Sequence, residues 1–132
     1  MEQIRIESTE VSPEVIFDIE KNNFLIKGKS VVTEVDSFYA PLIEWLENAH
    51  EKFINRVDFV FDLEYFNIFS SKRILFILYK LNSLAKKNDN VIIKWNYLVG
   101  EDEMYDFGQD FALMVNIPFQ FIAIEPHIEV LV

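Results

Sequence analysis

Between Val57 and Leu84 the chain changes its period, and that change limits what it can fold into. Val57, Phe59, Phe61 and Leu63 alternate with Asp58, Val60, Asp62 and Glu64. A two-residue period belongs to a strand with one face buried. Ile74, Ile77, Leu78, Leu81 and Leu84 then recur every three or four residues, which is one stripe of a helix. The junction between them reads Tyr65-Phe66-Asn67-Ile68-Phe69-Ser70-Ser71-Lys72. A helix that starts there leaves backbone N–H groups without helical partners. Two uses of those donors fit the residues. Asn67 or Ser70 serves as an N-cap, or the donors and the helix dipole hold an anion or phosphate.

The rest of the chain repeats this grammar. Ile4 and Ile6 suggest a first short strand. Val15, Phe17 and Ile19 suggest a second, and Phe24, Ile26 and Gly28 a third, with Lys21-Asn22-Asn23 as the turn of an antiparallel hairpin. Val35, Phe38, Leu42, Trp45, Leu46, Ala49 and Phe53 form a helical stripe. Thr33 and Asp36 resemble a capping box for it. Pro41 fits the first turn of a main helix, in which case 31–39 is a separate turn; both divisions stay open. Lys86 to Asn90 closes the second helix. Val91, Ile93, Trp95 and Tyr97 read as a fifth strand. Glu101, Asp102 and Glu103 open a third helix with Met104, Phe107, Phe111, Ala112 and Val115 inside, ended by Asn116. Pro118, Phe119, Phe121 and Ala123 give a sixth strand. Trp45 and Trp95 lie on apolar stripes and are expected in the core.

The expected architecture is one α/β domain over residues 1–132, in the order β-β-β-α-β-α-β-α-β. Strand–helix–strand units favour parallel pairing with right-handed crossovers. A sheet covered on both sides would read as unbroken aliphatic runs. Here alternate positions carry Asp18, Lys27, Asp58, Asp62, Lys94 and Asn96. The helices are therefore expected mainly on one face of a mixed sheet of about six strands, with the other face partly open. The tail from Glu125 to Val132 is apolar for a chain end. It fits an edge of its own sheet or a neighbouring molecule, the second giving a homodimer.

Composition narrows the function. Hydrophobic residues make up 51% of the 132, with thirteen Phe, enough to build a packed interior. A net charge of −10 without a basic patch opposes nucleic-acid binding and anionic membranes. No run reaches transmembrane length, and the first ten residues lack the basic and apolar regions of a signal peptide. A cytoplasmic protein with no membrane insertion is expected. There is no cysteine, so disulfides and thiolate metal sites are excluded. His50 and His127 stand apart, without the spacing of a histidine metal site. The acidic cluster Glu101, Asp102, Glu103 and Asp106 reads better as charge in a helix's first turn than as a cation loop. No Gly-rich phosphate loop and no nucleophile elbow occurs. No catalytic residue, metal or cofactor is expected, and the chain is not expected to be an enzyme.

Asp62-Leu63-Glu64-Tyr65-Phe66-Asn67 and Ser70-Ser71-Lys72 carry a resemblance. The chain resembles the SiaC family of bacterial regulatory phosphoproteins, whose strand runs into L-x-Y-x-N-T-S-S-S-K and an aliphatic helix. Ser12-Pro13-Glu14-Val15, Gly28-Lys29-Ser30, Pro41 to Leu46, Trp95-Asn96-Tyr97 and Ile117-Pro118-Phe119 sit where the family has similar segments. The resemblance implies a fold like that of STAS (anti-sigma-factor antagonist) domains and a partner-switching signalling adaptor. It further implies a Ser/Thr kinase that phosphorylates the Thr after the Asn, a PP2C-type phosphatase that reverses this, and a diguanylate cyclase as the output protein. The family's phosphoacceptor matches Ile68 and the next Ser matches Phe69. Ile68 has no hydroxyl, so Ser70 and Ser71 are the phosphorylation candidates, or the switch is lost. Tyr65, Asn67, Phe69, Lys72 and Arg73 are the expected partner-binding residues. A small-molecule or nucleotide sensor, using the helix N-terminus or the open sheet face, is the alternative.

Overall fold

The computed structural model describes residues 3–49, 51–53, 55–88 and 90–126. The element order is β1(Ile4–Ile6), β2(Glu14–Asp18), β3(Asn23–Ser30), α1(Val35–Asn48), β4(Val57–Phe66), α2(Ile68–Asn88), β5(Val91–Leu98), α3(Asp102–Met114) and β6(Phe119–Ile124). One six-stranded sheet has the strands in sequence order. The first three are antiparallel neighbours, and β3 to β6 run parallel. The mixed α/β fold is the expected one.

This order explains where the helices lie. Each crossover from β3 to β6 steps to the next strand in one direction. Right-handed crossovers that never reverse direction lay every helix on the same side of the sheet. Trp45 of α1 meets Phe17 and Phe24, and Phe111 of α3 meets Trp95, all on the face that carries Phe59 and Phe61. Ile74, Ile77, Leu78 and Leu81 of α2 join the same core with no exposure. On the opposite face Lys27 is exposed and Asp58, Asp62, Lys94 and Asn96 are half-buried. Asp58 lies between Arg56 Nε at 2.9 Å and Lys94 Nζ at 3.3 Å. Partial burial works against its charge, but these two cations outweigh it and hold the carboxyl below its usual range.

Several local expectations need correction. Asp18 on that open face is buried, because Arg5 covers it at 3.1 Å and the Lys21 N–H donates to it. That turn ends β2 before Ile19. α1 is a single helix with Pro41 inside it, so 31–39 is not a separate turn. No side chain caps it: its N-cap is Glu34 rather than Thr33, and Asp36 faces α2 instead. α3 ends at Met114, two residues before Asn116, whose N–H donates to Asn82 Oδ1 at 2.9 Å. The expectations for His50, for His127 and for the pairing of the tail beyond Pro126 lie outside the described residues.

Alternation in β4 breaks at one point. Gly28 pairs with Leu63, yet Lys29 pairs with Tyr65. Glu64 is therefore an extra residue on β4, a bulge that turns the next side chain over. Leu63 points inward, Glu64 and Tyr65 are both exposed, and Phe66 is buried again. Gly28, opposite the bulge, has φ of 117°, a conformation that side-chain-bearing residues rarely adopt.

Candidate functional site

The strand–helix junction is held from below and open above. Asn67 is the cap. Its side-chain oxygen accepts from the Ser70 N–H at 2.9 Å, and its carbonyl accepts from the Ser71 N–H at 2.9 Å. Its own N–H donates to the Ser30 carbonyl at the end of β3. Asn67→Ala is expected to destabilise the protein by about 1 kcal/mol, the usual loss for such a cap. Urea unfolding measures it, and an unchanged midpoint would show that the cap is dispensable.

Ser70 points inward. It is fully buried, and its hydroxyl accepts from Ser30 Oγ at 2.8 Å. Ser30 Oγ also meets the Tyr39 hydroxyl at 2.5 Å. Because Ser30 gives its one proton to Ser70, Tyr39 donates to Ser30. Burial pushes the Tyr39 phenol up, outweighing the hydrogen bonds with Ser30 and Ser70 that lower it. This hydroxyl chain ties β3, α1 and the first turn of α2 together. Its members satisfy one another, as buried polar groups must. Ser70 is thus part of the packing, and its hydroxyl does not reach the surface. Ser71 is half-buried, and its hydroxyl donates to the Ile68 carbonyl at 2.7 Å.

The outer side of the junction is apolar. Ile68 is 70% exposed, Phe69 63% and Tyr65 52%. Farther along α2, Phe76 and Tyr79 are also exposed. Five large apolar side chains thus stand outside the core on one continuous stretch. Lys72 is exposed among them. Arg73 is not free: its Nε donates to Asp36 Oδ1 at 2.7 Å, and its guanidinium lies 5.6 Å from the Phe76 ring centroid. Tyr65, Phe69 and Lys72 are thus each exposed at the junction or in the first turns of α2, while Asn67 is the cap and Arg73 is committed to an ion pair. The sequence reading missed Ser30 and Tyr39, and it missed Phe76 and Tyr79. The last two carried a signal, since neither fits the stripe of Ile74, Ile77, Leu78 and Leu81.

Other surfaces offer less chemistry. A cleft of about 400 Å³ at the carboxyl ends of β4 to β6 is lined by Asp62, Glu64, Tyr97 and Glu101 among others. Carboxylates of that sign repel a nucleotide phosphate. The strand order also lacks the reversal at which such folds bind nucleotides. Among the described residues no three His, Asp or Glu side chains converge as metal ligands, and no helix is long and apolar enough to cross a membrane.

Comparisons with known proteins agree with this geometry. No curated protein sequence matches the chain. Among solved structures, apo-SiaC from Pseudomonas aeruginosa superposes with a TM-score of 0.83 at 20% identity, over 93% of this chain and 100% of that one. SiaC in the complex of the diguanylate cyclase SiaD with its activator, from the same organism, gives 0.84 at 20% identity, over 91% of this chain and 98% of that one. Identities this low establish a shared fold. Membership rests on the family model for SiaC family regulatory phosphoproteins, which matches residues 6–124. With that match spanning β2 to β6, all three helices and the capped junction, the chain belongs to the SiaC family of regulatory phosphoproteins.

Proposed function

We propose that this chain is a non-enzymatic, cytoplasmic signalling adaptor that docks a protein partner through Tyr65, Ile68, Phe69 and Lys72. The observation that carries this reading is the pair Ile68 and Phe69, exposed at the first turn of a helix whose inner side is locked by buried hydrogen bonds. A preorganised apolar patch binds without first ordering its own backbone. Exposed aromatic anchors are the side chains that dominate protein interfaces. The P. aeruginosa SiaC is described as activator of the diguanylate cyclase SiaD. A diguanylate cyclase, or an output protein of that kind, is the partner we infer here.

Regulation differs from the family pattern in this reading. Ile68 cannot accept a phosphate, and Ser70 is enclosed. Ser71 spends its hydroxyl proton on a backbone carbonyl. The adaptor is therefore competent without dephosphorylation. A kinase of the family and a PP2C-type phosphatase have no substrate hydroxyl at the usual position.

The test uses the purified chain and the diguanylate cyclase of its own host. Phe69→Glu is expected to weaken binding by at least about tenfold, or 1.4 kcal/mol, with the melting temperature unchanged. Incubation of the wild type with the cognate kinase and ATP is expected to leave its intact mass unchanged, while Ile68→Thr gains one phosphate. Undiminished binding by Phe69→Glu would remove the docking surface, and a phosphate on wild-type Ser71 would restore the switch.

A further inference from the structure

We propose that the groove between α1 and α2 receives an amphipathic helix of the partner, with Lys or Arg flanking that helix's apolar side. This rests on the docking reading above and names the chemistry of what docks. The groove encloses about 530 Å³. Two ion pairs span it, Arg73 with Asp36 and Lys80 with Glu47 at 2.9 Å. Between them, along both helices, the lining is Ala40, Ile43 and Phe76, with Glu44 on the rim. Phe76 is exposed, so this apolar floor is open.

Two parallel ridges with an apolar floor match the shape of a third helix, which presents its own apolar residues at three- and four-residue spacing. The charge of the rim decides the sign of the flanks. α1 carries Asp36, Glu44 and Glu47 and not one Lys or Arg between Val35 and Asn48. The cations on the facing wall, Arg73 and Lys80, are already paired across the groove. Asp36 and Glu47 are their partners, so Glu44 gives the rim a surplus of one negative charge, on a molecule of net charge −10. An acidic helix is repelled there, and a basic one is steered in. Arg73 lines the groove and follows Phe69 by four residues, about one turn of α2, so one helix can cover the two.

The probe is a synthetic peptide of about five helical turns, with Leu at helical spacing and Lys on both flanks. Two controls accompany it: the same peptide with Glu flanks, and a scrambled Lys peptide of equal charge without an apolar face. Titration into the full chain is followed by fluorescence anisotropy and by amide shifts. The Lys peptide is expected to bind at least about tenfold more tightly than either control. It is expected to weaken with salt and to shift Ala40, Ile43 and Phe76. Ala40→Gln, a neutral enlargement of the floor at an exposed helix position, is expected to weaken it about tenfold. Glu44→Gln is expected to reduce its salt dependence. Equal binding of the scrambled peptide, shifts confined to other surfaces, or indifference to Ala40→Gln would each overturn the proposal. Phe69→Glu separates the two readings. If it still weakens the cyclase while the Lys peptide ignores the groove, only the groove assignment falls. If it leaves the cyclase bound while the peptide seats as described, only the docking surface falls.

Discussion

Phe59→Ala is expected to lower the unfolding free energy by about 3–5 kcal/mol, the range for emptying a buried aromatic site. Phe59 has no exposure. Its ring lies 5.4 Å from Phe17, 5.8 Å from Phe24 and 5.1 Å from Phe61, centroid to centroid. It sits on a central strand, with β3 and β5 on either side. Three flat rings on fixed strands cannot fold into the space it leaves, so the cavity persists and its lining loses contacts outright. Domains of this size are stable by about 5–15 kcal/mol in all. The variant therefore stands close to the unfolding threshold at physiological temperature. Urea unfolding is the measurement, with the slope m unchanged if the native state stays compact. A loss below about 1.5 kcal/mol, the usual limit for a volume-conserving swap, would mean that the core repacks.

Gly108→Ala pits two effects against each other, and the steric one is expected to win. Gly108 lies inside α3, where alanine would add helix propensity of about 1 kcal/mol. A Cβ built there falls 2.5 Å from two atoms of the Trp95 ring and 2.8 Å from Phe121. Trp95 is fully buried, so its ring has no solvent to move into. It is also tethered, since its Nε1–H donates to the Met104 carbonyl at 2.9 Å. Moving the ring adds overpacking of about 1–3 kcal/mol to a strained or broken buried hydrogen bond worth about 1–3 kcal/mol. The net expectation is a loss of about 1–5 kcal/mol after the gain in propensity is subtracted. Thermal unfolding should show a fall of several degrees, and tryptophan emission should shift if Trp95 moves. A rise in melting temperature would show that α3 slides away from the sheet without penalty.

How much of this was legible in advance depends on the range of the physics involved. Phe59, Phe61, Ile93 and Trp95 were placed inside correctly because a strand's two-residue period acts on neighbours. The stripe of Ile74, Ile77, Leu78 and Leu81 was equally clear, since helical spacing is local as well. Asn67 was one of two candidate caps, and its geometry follows from a side chain three residues before the N–H it accepts from. α1 was less clear, because Pro41 is a breaker by local rules yet lies within a helix buried along Tyr39, Leu42, Trp45 and Leu46. Packing of that face overrode the local preference.

The site itself divides along the same line. By itself the chain of residues determined that a strand hands over to a helix with Asn67 or Ser70 as its cap, that Ile68 bears no hydroxyl, and that the helices lie mainly on one side of the sheet. Those follow from side-chain chemistry and from periods, the polar residues at alternate strand positions included, which need no distant contact. Only the tertiary structure decided which way Tyr65 and Ser70 face. Tyr65 is turned outward by the extra residue Glu64 opposite Gly28, a register slip between two strands far apart in sequence. Ser70 is turned inward by Ser30, forty residues away, and by Tyr39 beyond it, because a buried hydroxyl goes where its partners are.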